Sequence, residues 1–62
     1  MTTLTDNQMV RDGLGHWLRV VEVLNPFMYR VQPLTLVGAK NELFPLGAPC
    51  LARRSELRAD GE

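Results

Sequence analysis

The sequence predicts a mainly β fold, a small barrel of about five short antiparallel strands. Three observations carry this. "HWLRVVEVL", residues 16–24, holds four β-branched or aromatic residues and no Gly or Pro, the composition of a strand. "FMYRVQ", residues 27–32, alternates with period two, setting Phe27, Tyr29 and Val31 on one face and Met28, Arg30 and Gln32 on the other. Turn residues then cut the rest of the chain into short extended pieces, a pattern that favours a closed β architecture. The alternative is an α+β domain with one helix lying across a three-stranded sheet.

The elements follow in order. In "LTDNQM", residues 4–9, Thr5 and Gln8 have the spacing of a capping box, with Leu4 and Met9 placed for a hydrophobic staple. Asp6 suits the first turn of a helix and Gly13 its end, so a short N-terminal helical turn is expected. "DGLG", 12–15, breaks the chain before the valine-rich strand. There Leu18 and Val20 share one face and Val21 and Val23 the other. Either both faces are covered or a bulge around Val20 and Val21 re-phases the strand. "NP", 25–26, is a turn that makes the next strand an antiparallel neighbour. "LTLV", 34–37, continues that strand or begins another, and "GAKN", 38–41, is a loop with Lys40 at its tip. "ELFPL" and "PCLA" are two short extended pieces in which Pro45 and Pro49 favour edges or bends. Finally "RRSELR" offers Ser55 as the cap of a single turn that places Leu57 inward. The domain organisation expected is an N-terminal arm over 1–14, a barrel over 15–59 and a polar tail over 60–62.

Length and composition narrow the function. A chain of 62 residues buries only about 60% of the surface its unfolded form exposes. Small folds usually add a disulfide, a metal or a partner subunit. Cys50 is the one cysteine, and with His16 it is the one soft metal ligand, so neither a bridge nor a structural zinc is expected and no cofactor is implied. Self-association is the remaining route. Seven basic residues balance seven acidic ones, which leaves no long-range field toward nucleic acid or an anionic surface. The start, "MTTLTDNQMV", has neither the basic nor the apolar region of a secretory signal, and no apolar run is long enough to span a membrane. A cytoplasmic location is expected, with a lone thiol suited to a reducing compartment.

From "VVEVLNPFMYRV" to "ARRSELRA" the order of signals resembles the SH3-like barrels. A valine-rich strand passes through a proline turn into an aromatic strand. A loop and two short strands follow, then a one-turn helix carrying a leucine plug. It is also similar to the DNA-binding C-terminal domain of retroviral-type integrases, with Tyr29, Val31, Gly38, Ser55, Leu57 and Arg58 at the matching places. That resemblance implies the barrel and, as one option, DNA binding. The absence of net positive charge departs from the integrase pattern. SH3-like barrels serve peptide binding, nucleic-acid binding and assembly alike, so the fold does not choose among them.

Catalysis has no motif here. There is no phosphate loop, no carboxylate pair and no nucleophile with a local base, and both Cys50, as a small buried hydrophobe, and His16, as a surface or packing residue, have ordinary structural readings. The sequence therefore points to a non-enzymatic binding or adaptor protein that contacts another protein, itself among the candidates, of a size that suits an accessory protein of a phage or other mobile element. Trp17 beside Arg19, with Met28 and Arg30 on the polar face of the next strand, is the candidate protein-binding surface. The alternative is a DNA- or RNA-binding barrel using Arg30, Arg53, Arg54 and Arg58. What decides between them is whether those arginines share one face, since Arg53 and Arg54 point to opposite sides of a strand.

Overall fold

The computed structural model describes residues 3–59, so the 60–62 tail lies outside the described residues. Five antiparallel strands form the fold: β1 (Met9–Arg11), β2 (Trp17–Asn25), β3 (Met28–Val37), β4 (Glu42–Pro45) and β5 (Cys50–Arg53), followed by a 3-10 turn (Arg54–Glu56). No α-helix is present among the described residues, which removes the α+β alternative.

The sheet rolls up because its ends are tied. β1 pairs with β2, β2 with β3, and β3 with β5 on its other side. From β5 the 3-10 turn carries the chain back to β1, where Arg58 pairs with Arg11 through two backbone hydrogen bonds of 3.0 and 2.8 Å. The 3-10 turn thus joins the two ends of the strand path. Leu57 sits under that turn and is buried, as a plug.

Register explains the curvature. Val20 pairs with Val31 and Glu22 with Arg30, so Val21 is an extra residue in β2; a second shift follows at Leu24. The first is the bulge that the valine pattern suggests, and it leaves Leu18 and Val20 buried while Val21 and Val23 are outside. On β3 the pairs Val31 with Cys50 and Leu34 with Pro45 set two residues, Gln32 and Pro33, against the four from Leu46 to Pro49. β4 and β5 thus act as one long partner of β3, broken by a wide bulge. Gly47 takes a left-handed φ of 75° there, and the Gln32 side-chain amide pins it by donating to the Gly47 carbonyl at 2.9 Å.

The core is small: Leu4, Val10, Leu18, Val20, Tyr29, Val31, Leu57 and Ala59, with Ala52 packed against it. Two of these residues come from the expected N-terminal arm, so that segment belongs to the barrel's own interior.

The helix expected over the first dozen residues is replaced by a turn and β1. Only half of its capping box forms: the Thr5 amide donates to Gln8 Oε1 at 2.9 Å, but the Gln8 amide donates to the Thr5 backbone carbonyl at 3.2 Å and not to the Thr5 side chain. Asn7, at φ 65°, reverses the chain, and its amide donates to the Val20 carbonyl at 2.7 Å. Strand pairing to β2 wins over a helix too short to hold itself. Three smaller corrections belong here. Ser55 caps nothing, because the 3-10 turn begins at Arg54 after Arg53 without a side-chain cap. Phe27 does not share the Tyr29 face but sits in the β2–β3 turn, 74% exposed, its amide held by Asn25 Oδ1. Cys50 is exposed because it adjoins the wide bulge.

Candidate binding surfaces

The first surface is the hairpin of β3 and β4. Beyond Pro33, β3 leaves β2 behind and pairs only with β4, so residues 34–45 project from the barrel as a two-stranded ribbon. Residues paired across a ribbon share a face. One face carries Leu34, Leu36, Leu43 and Pro45, the other Val37 and Phe44 with Thr35 and Glu42. Leu36, Val37 and Phe44 are each about half exposed, and Leu46 at the base is 59% exposed. An isolated hairpin is marginal in water, and this one is apolar on both sides. At its base lies an open groove of about 530 Å³, lined by Leu18, Val31, Pro33, Leu46, Leu51 and Leu57 among others, with Asp12, His16 and Glu56 at hand.

The Asp12–His16 pair fixes the rim of that groove. Asp12 Oδ1 accepts from the amides of Leu14 and His16 at 2.8 and 2.9 Å, and Oδ2 lies 3.0 Å from His16 Nδ1. Burial alone would raise the Asp12 pKa, but these bonds outweigh it and hold the carboxyl below its ordinary value. The pair braces the β1–β2 loop. Cys50 lines the same groove, and no group of three or more His, Cys, Asp or Glu residues that could hold a metal occurs among the described residues.

The second surface is the outer wall. Trp17 is half-buried and takes the Arg11 guanidinium over its ring at 4.0 Å from the centroid. The sequence pairs Trp17 with Arg19, which does lie on the same side of β2, but the residue that touches the ring is Arg11. It stands directly across from Trp17 on β1, a partnership that only the strand register reveals. Met28 and Arg30 are on the neighbouring strand β3 but farther along it, across from Asn25 and Glu22, so the four candidate residues share the outer wall without forming one contact cluster.

The four arginines of the nucleic-acid alternative are not brought together. Arg53 and Arg54 do point to opposite sides. Arg54 is turned inward, 4% exposed, with Nη1 donating to the Leu57 carbonyl at 2.8 Å. Arg30 is engaged by Glu22 at 3.0 Å. Arg53 stands across from Met28, on the same side of the sheet as Arg30, and Arg58 lies at the far end of the path beside Arg11. Comparison of the chain with family models, with curated proteins and with solved structures finds no match. No helix among the described residues is long and apolar enough to cross a membrane.

Proposed function

We propose that this chain is a non-enzymatic, self-associating binding module whose β3–β4 hairpin seats in the basal groove of a second copy. The observation that carries the reading is the presence, on one small chain, of an arm apolar on both faces and an apolar groove at its root. A two-fold pair uses arm and groove twice, and such self-complementarity is the common route to homodimers. It also lets a short chain approach the roughly 800 Å² per partner that stable interfaces bury. Pro45 on the outer edge of β4 disfavours strand-to-strand addition there, so the contact is one of faces. The small core, with no disulfide among the described residues, gives the association a stabilising role as well.

Sedimentation of the full chain over a range of concentrations tests this. A concentration-dependent dimer is expected, with Phe44→Glu and Leu46→Glu sedimenting as folded monomers. A wild-type monomer at high micromolar concentration, or variants that still dimerise, would overturn it.

A further inference from the structure

We propose that Arg11, Trp17, Arg19 and Arg58 form a binding site for single-stranded nucleic acid on the outer wall of the barrel. The starting point is an electrostatic anomaly. Arg11 and Arg58 stand directly opposite each other in a backbone-paired bridge, and both are exposed. Like charges so placed destabilise a sheet. Nothing described compensates them: among the described residues Arg11, Arg19 and Arg58 have no carboxylate partner. Glu22 is committed to Arg30, and Asp12 to His16 and two backbone amides. A polyanion laid across this wall relieves the repulsion that the fold tolerates.

The geometry selects the kind of polyanion. Trp17 holds the Arg11 guanidinium over its ring, 4.0 Å from the centroid. Arg11 is exposed and Trp17 half-buried, so the stacked pair is reachable from solvent. Nucleobases stack on guanidinium planes as well as on aromatic rings. Arg58 lies one strand to one side of Arg11. Arg19 lies two residues along β2 from Trp17 and faces the same way. With strands about 4.8 Å apart and alternate residues about 7 Å apart, the two flanking arginines straddle the stacked pair and can take successive phosphates of an extended strand. A duplex hides its base faces, and a bilayer surface offers no planar group for the Arg11–Trp17 stack. The site shares no residue with the hairpin or its groove, so it stands whether or not the chain dimerises.

The test uses the full chain and Trp17 fluorescence, which reads this site alone because the chain has one tryptophan. Titration with a twelve-nucleotide oligothymidylate is expected to quench Trp17 and to bind at least tenfold tighter than the same length of duplex. Two phosphate contacts at about 0.7 each predict a log K against log salt slope of about −1.4. Arg58→Ala and Arg19→Ala should each flatten that slope by about 0.7. Arg11→Lys keeps the charge, so it should preserve the slope while losing the quench and about tenfold in affinity. Phe44→Glu should bind like the wild type. Equal binding of duplex, equal competition by polyphosphate, or binding of phosphatidylserine vesicles without binding of the oligonucleotide would each overturn the proposal.

Discussion

The Tyr29 hydroxyl accepts a hydrogen bond from the Leu4 amide at 3.2 Å and donates one to the Pro26 carbonyl at 3.1 Å. One buried side chain in the middle of the sheet therefore ties the start of the described chain to the β2–β3 turn. Tyr29→Phe keeps the ring and strands the Leu4 amide in the interior. The expected loss is about 1–3 kcal/mol, the cost of an unsatisfied buried donor. Chemical denaturation measures it, and a loss under about 0.5 kcal/mol, the scale of a neutral surface change, would mean that the N-terminal segment is not held in this way.

Arg53 and Arg54 are neighbours with opposite fates. Arg54→Ala removes a charged donor from the Leu57 carbonyl and empties space beside the plug, with an expected cost of about 2–3 kcal/mol. Arg53→Ala, on the exposed side, should stay within about 0.5 kcal/mol. Equal effects in the two variants would contradict the inward placement of Arg54.

Leu57 closes the barrel from beneath the 3-10 turn. Leu57→Ala should destabilise by about 2–4 kcal/mol, the usual range for a truncated core leucine. Thermal melts of variant and wild type give the comparison, and a near-neutral result would remove the plug from the account of the fold.

Asp12 gives the molecule an acid-sensitive brace. Its folded pKa lies below the ordinary 3.8, so its contribution is present above that value and is lost as the pH falls through the lower, folded one. Asp12→Asn should therefore be less stable than wild type at neutral pH, with the gap narrowing well below pH 3.8. A gap that stays constant across that range would show that the carboxylate charge contributes nothing.

Much of this was legible because strands report their faces. The clash between Leu18 with Val20 and Val21 with Val23 left either two covered faces or a bulge, and the register decides for a bulge at Val21. Leu57 and the split of Arg53 from Arg54 followed from spacing alone. The N-terminal helix misled because a Thr5–Gln8 capping pair satisfies the same amides whether the chain then coils or turns back; what decided was β2, whose Val20 carbonyl takes the Asn7 amide. Cys50 and Phe27 misled for a different reason. Each is apolar in a strand-like run, but one adjoins the wide bulge and the other caps a turn. The Arg11–Trp17–Arg58 grouping could not be read, since it joins three segments through pairings that no local pattern specifies.

One strand of this fold leads two lives. Met28–Val31 have neighbours on both sides, whereas Leu34–Val37 lean on β4 alone. The backbone amides of β3 should therefore exchange with solvent deuterium in two classes, divided at Pro33. The inner class opens only with global unfolding, and the outer opens locally at much lower free energy. What the arm meets can then change, by mutation or by grafting a new tip onto it, while the barrel that carries it keeps its own stability.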